Sequence, residues 1–78
     1  MYRCIKSNTT DEVLAIGMDQ NQSGEAYNGV GIWCDFTFDT IPTIPQEVIT
    51  YAEQQSYTGN LHKVVGSTIV AKTIEDIN

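Results

Sequence analysis

Residues 27–39 read YNGVGIWCDFTFD, and their pattern decides how the chain is expected to fold. Val30, Ile32, Cys34, Phe36 and Phe38 fall on one side of a two-residue period; Gly31, Trp33, Asp35, Thr37 and Asp39 fall on the other. Side chains of an extended chain alternate between the two faces of a sheet, so this spacing predicts a long strand with one apolar side. The stretch holds the only Trp and both Phe. Aromatic and β-branched residues suit a half-buried pleated surface. Val30 to Phe38 is therefore read as the central strand.

Upstream, MYRCIKS at 1–7 has strand character, and its basic residues suggest an edge position or exposed ends. Asn8 to Asp11 are turn formers. The run EVLAIGMD at 12–19 is apolar without alternation; Gly17 disfavours a helix, so a buried strand is expected. The polar window DQNQSGEAYN at 19–28 reads as a connecting loop, with Asn28-Gly29 tolerant of positive φ. It is long for a hairpin loop, and long loops on rigid scaffolds often carry function.

Downstream, TIPTIP at 40–45 cannot donate to a ladder at its two prolines. Thr43 and Gln46 match a capping box, and Pro45 suits a first helical turn. In PQEVITYAEQQS, residues Ile44, Val48, Ile49, Tyr51 and Ala52 share one arc at helical spacing. That arc is expected on the apolar side of the sheet. Gly59 is a candidate for the turn after the helix. The stretch LHKVVGSTIVAKTI at 61–74 is β-rich, with a bulge, bend or break at Gly66-Ser67. The last four residues are expected to fray. The sum is an α+β fold over residues 1–78, one domain. It has a small, mainly antiparallel sheet of four or five strands in the order strand–strand–strand–helix–strand. One amphipathic helix packs on one face.

Ten carboxylates against four Lys and Arg give a formal net charge of -6. Such a charge repels nucleic acid and anionic membrane surfaces and is compatible with a basic protein surface. No apolar run is long enough for a membrane span, and no leader pattern opens the chain. A cytoplasmic location with reduced thiols is the expectation. Cys4 and Cys34 could meet, and could form a disulfide, if the first strand lies beside the central one; two reduced core thiols are the favoured alternative.

Catalytic motifs are sparse. No CxxC or HxxxH spacing supports a metal site, and His62 beside Lys63 reads as a surface residue. Cys34 falls on the apolar face, where a thiol is usually inert. Neither a metal, nor a cofactor, nor an enzymatic activity is expected. The candidate site is instead a partner-binding surface. Trp33, Asp35 and Asp39 lie on the face away from the helix, and Tyr27, Glu25 and Asp19 come from the polar window. A Trp among carboxylates has the character of an interface anchor rimmed by charge.

The expected function is that of a small acidic, non-enzymatic binding protein. It would inhibit or modulate a protein partner by engaging its basic, nucleic-acid-binding surface. Anti-defence proteins of viruses and mobile elements share that gross character. The alternatives are a homodimeric structural subunit or a protein that sequesters a small ligand.

Overall fold

A computed structural model describes residues 1–78. Its elements are β1 (Tyr2–Ser7), β2 (Val13–Met18), β3 (Glu25–Ala26), β4 (Gly31–Trp33), α1 (Gln46–Gln54), β5 (His62–Val65), β6 (Thr68–Ala71) and α2 (Ile74–Ile77). One sheet has four strands in the order β2-β1-β4-β3, and β5-β6 forms a second, two-stranded sheet. All the ladders are antiparallel. The class is the expected α+β, but six strands and two helices replace the expected strand–strand–strand–helix–strand order.

The first strand is central, not an edge. β1 pairs with β2 on one side and β4 on the other. The basic residues that suggested an edge are spent locally. Arg3 Nε donates to Asp19 Oδ1 at 2.9 Å and its Nη1 to the Cys34 carbonyl at 2.8 Å. Lys6 Nζ donates to the carbonyls of Ser7 and Thr10. A β-bulge explains the missing alternation in β2. Ile5 opposes Ala15, but Lys6 opposes Val13, so Leu14 is the extra residue that rephases the strand.

The expected long strand is only three residues, Gly31–Trp33. Cys34 still donates its N–H to the Cys4 carbonyl at 2.9 Å. Its own carbonyl accepts from Arg3 instead of the ladder. The chain then leaves β1 and returns at Phe38, which exchanges main-chain bonds of 2.8 and 3.0 Å with Tyr2. The register thus runs from Cys4 opposite Cys34 to Tyr2 opposite Phe38, so the excursion adds an even number of residues. Side-chain parity survives it. Cys34 and Phe38 are buried as expected, and Phe36 packs against them. Val30 and Ile32, read as buried, are 62% and 37% exposed.

What covers the apolar face is the β5–β6 hairpin. The central cluster is Cys4, Val13, Cys34, Phe38 and Ile69, with Val64 packed against it; the buried α1 residues, Val48 and Ala52, lie outside that cluster. The expected break at Gly66-Ser67 is a two-residue hairpin loop, with Gly66 at φ 61° and Val65 opposite Thr68. The polar window holds a short strand, β3, which pairs Glu25 with Ile32 and Ala26 with Gly31. Its turn runs through Tyr27, Asn28 and Gly29, all at positive φ.

α1 forms where its periodicity predicts, but packs against α2 rather than across the sheet. Val48 and Ala52 are its buried residues; Ile49 is only half-buried. Pro45 caps it without a side-chain hydrogen bond, so the Thr43–Gln46 box does not form. At the other end Ser56, not Gly59, takes the left-handed conformation (φ 55°), and Tyr57 N–H closes on the Ala52 carbonyl at 2.9 Å. The tail does not fray. Thr73 and Asp76 form a reciprocal capping box on α2, and the Tyr51 hydroxyl bonds Asn78.

At Gly31, β4 presses close on its neighbours. A Cβ there would lie 2.6 Å from Ile5 Cγ2 and 3.1 Å from Leu14 Cδ1. Ile5 is buried and this methyl is fixed on its branched Cβ, so it cannot readily swing aside. Gly31→Ala is expected to cost about 1–3 kcal/mol through overpacking. Gly17→Ala, whose Cβ would meet nothing within 4 Å, is the control. Chemical denaturation of both variants checks the difference.

Candidate functional site

The residues singled out by sequence do not form one site. Trp33 is half-buried on β4 and lies opposite Ile5. Together with Asp35, Ile32, Phe36 and Lys6 it lines a groove of about 330 Å³ between β4 and the β5–β6 turn. Glu25 is the cross-strand neighbour of Ile32, and Tyr27 is 55% exposed at the adjoining turn. Asp39 is exposed just beyond Phe38. Trp33, Asp35, Glu25 and Tyr27 belong to the β3–β4 hairpin and its immediate continuation, whereas Asp39 lies at the other end of β1, beside the Tyr2–Phe38 bridge.

Asp19 does not belong with them. Its carboxylate is held by Arg3 and also accepts the Asn21 N–H at 3.0 Å. The Arg3 hydrogen bond first, then that amide, pulls its carboxyl below the usual range. Asp19 closes the β1–β2 end of the sheet, and its charge is neutralised there. His62 is likewise not a free surface residue. It is half-buried, and its Nε2 lies 2.7 Å from the Pro42 carbonyl, so that nitrogen carries the proton.

Sequence reasoning missed a second cluster, at the junction of the two sheets and both helices. Glu12 comes from the turn before β2, Tyr57 from the turn after α1, Lys72 from the end of β6. They line a polar cavity of about 420 Å³ with Lys63 and Asp76. Lys72 is 7% exposed. Its Nζ donates to Glu12 Oε1 at 2.9 Å and to the Tyr57 hydroxyl oxygen at 2.6 Å. The Tyr57 hydroxyl lies 3.3 Å from Glu12 Oε1 and 3.2 Å from the Asn60 carbonyl. Nζ is 5.2 Å from the ring centre, but its bond to the hydroxyl puts it at the ring's edge. The contact is a hydrogen bond, not a cation held over the ring face.

The electrostatics of this cluster favour charge. Burial alone would push Lys72 down, but its bonds to Tyr57 and Glu12 outweigh that and raise it. The Lys72 hydrogen bond holds Glu12 below the ordinary carboxylate range, against the opposing effect of burial. Both groups are driven away from neutrality at pH 7, the reverse of what a proton-transfer catalyst needs. The arrangement is a clamp. Nothing in the local sequence around Glu12, Tyr57 or Lys72 marks it, because the three are far apart along the chain. A lone Lys among the apolar residues of 68–74 is the only hint.

The charges as a whole divide cleanly. All four basic side chains are engaged internally: Arg3 with Asp19, Lys63 with Asp76, Lys72 with Glu12, and Lys6 with carbonyls. Of ten carboxylate side chains, three are in those pairs. The other seven, Asp11, Glu25, Asp35, Asp39, Glu47, Glu53 and Glu75, are all exposed. No group of three or more His, Cys, Asp or Glu is arranged to hold a metal ion. No helix is long and apolar enough to cross a membrane. No family model, curated protein or solved structure matches this chain.

The clamp predicts a stability plateau with two limbs. Glu12 titrates lower folded than unfolded, so its contribution is present above the ordinary carboxylate range and is lost as pH falls through the folded value. Lys72 titrates higher folded, so its contribution is full below the ordinary lysine value and is lost as pH rises through the folded one. Asp76 is pulled down to about 2 by the Thr73 amide and then Lys63, so the α2 cap is surrendered only near that pH. Thermal melts across pH are expected to trace this plateau. Lys72→Met should lower Tm on it by about 5–10 °C, because Glu12 is left without its cation.

Proposed function

We propose that this chain is a non-enzymatic binding protein that docks on a basic surface of a protein partner and excludes nucleic acid from it. The observation that carries this reading is the charge division. Every basic side chain is engaged by an acceptor within the fold, and seven carboxylates without a cationic partner are left exposed. A surface of one sign raises association rates with an oppositely charged partner and repels like-charged ones. Direct binding to nucleic acid or to an anionic membrane is disfavoured for the same reason.

The docking residues of this reading are Glu25, Tyr27, Trp33, Asp35 and Asp39. Exposed apolar side chains accompany them, Val30 and Ile32 above all. A mixed patch of aromatic, aliphatic and acidic groups has the composition of an interface core with a charged rim. Inhibition of a nucleic-acid-binding protein, of the kind viral and mobile-element proteins exert, fits that chemistry. A cytoplasmic setting belongs to the same proposal.

The test is quantitative capture from a host lysate at about 50 mM and about 500 mM salt. Wild type is compared with Trp33→Ala and with the double variant Asp35→Asn, Asp39→Asn. A captured partner should be released by salt, be displaced by soluble DNA or RNA, and be lost with either variant. Retention indifferent to salt and to both variants would overturn the proposal. So would a tight homo-oligomer, measured by light scattering, that buries Trp33 on its own; that result would favour a structural subunit.

A further inference from the structure

We propose that Cys4 and Cys34 are an oxidation site, and that a peroxide entering the groove beside Trp33 converts them to a cross-strand disulfide. This rests on the geometry of the two sulfurs and is independent of the docking reading above. The two residues oppose each other in the continuation of the β1–β4 register, where Ile5 faces Trp33 and Lys6 faces Ile32. Cys34 N–H donates to the Cys4 carbonyl at 2.9 Å. Directly opposed residues of an antiparallel pair have Cα atoms about 4.5–5.5 Å apart, inside the range a disulfide spans, roughly 4.4–6.8 Å. The two Sγ atoms are already 3.0 Å apart, so no strand has to move to join them. The Arg3 guanidinium holds the Cys34 carbonyl and fixes its main chain.

The pair is unequal, and the inequality orders the chemistry. Cys4 is fully buried, while Cys34 is 8% exposed and lines the groove with Lys6, Trp33 and Phe36. Burial, then its bond to Cys34, pushes the Cys4 thiol up to about 12. Cys4 is therefore the slower thiol to attack and the one out of reach. Cys34 sulfur attacks one peroxide oxygen, the O–O bond breaks, and water leaves with the thiol proton. The product is a sulfenic acid on Cys34. Cys4 sulfur then attacks Cys34 sulfur, the S–O bond breaks, and the hydroxide leaves with the Cys4 proton as a second water. Two thiols and one hydrogen peroxide give one disulfide and two waters, with two electrons passing from sulfur to peroxide.

The bond would close a loop between residues thirty apart in sequence. That loop contains β2, β3 and β4. It would also fix the base of the Asp35–Thr37 excursion, which returns to β1 only at Phe38. Constraining the unfolded chain in this way stabilises the folded one.

The experiment treats the reduced full chain with hydrogen peroxide. It is then unfolded, its remaining thiols are alkylated, and its mass and linked peptides are measured. The expected product is a monomer without alkyl groups, a Cys4–Cys34 linked peptide, and a Tm raised by about 10 °C or more that dithiothreitol reverses. Cys4→Ala should stop at the sulfenic acid, trapped on Cys34 by dimedone. Two free thiols after treatment would overturn the proposal. So would sulfinic acid without a bridge, intermolecular dimers, or a bridged monomer that melts no higher. The wild-type reading decides the matter even if the variant does not fold.

Discussion

The Lys72 ammonium ties the four-stranded sheet, the β5–β6 hairpin and the turn after α1 together at one point. The four-stranded sheet and the β5–β6 hairpin share one isolated bridge, Glu12 opposite Lys63, and the main-chain bond from Val64 to Asp11. Lys72 adds Glu12 on one side and Tyr57 on the other, so the turn after α1 is drawn to the same point. A buried cation is tolerable only with partners that satisfy its donors, and here they come from distant parts of the chain. These contacts add to the packing of Ile69 and Val64 that holds the hairpin over Cys4, Val13, Cys34 and Phe38. A two-stranded hairpin has little stability of its own in water.

How far the sequence could be read follows from the range of the forces involved. α1, the turn at Asn28-Gly29 and the break at Gly66-Ser67 depend on local propensity and were legible. The alternation in 30–38 correctly put Cys34 and Phe38 inside. Its length misled, because the Arg3 guanidinium takes the Cys34 carbonyl and lets the chain leave the ladder without losing side-chain parity. Strand order was not legible at all. The position of β1 between two neighbours depends on pairing with residues far along the chain, and its basic side chains pointed the wrong way until their acceptors were seen.

The candidate surface divides along the same line. Trp33, Glu25 and Tyr27, singled out by composition and period, lie on or beside the β3–β4 hairpin, and Asp35 shares the groove with Trp33; Asp39, next to Phe38, lies toward the Tyr2 end of β1. Asp19 was grouped with them because it sits in a polar window, yet its role is decided by Arg3, sixteen residues away. The clamp of Glu12, Tyr57 and Lys72 has no local pattern to find. Its members are joined across separations of up to sixty residues. Charge counting did anticipate an acidic molecule. It could not anticipate that every cation would be consumed in closing the fold.

That consumption has a practical side. Reagents aimed at primary amines, the usual choice for fluorescent tagging or bead coupling, would find no idle lysine. Acylating Lys63 or Lys72 would strip the positive member from an ion pair that joins distant segments. Derivatising Lys6 would dislodge the donor that ties Ser7 to Thr10. A handle placed on the outward carboxylates of α1, at Glu47 or Glu53, leaves all of those connections whole.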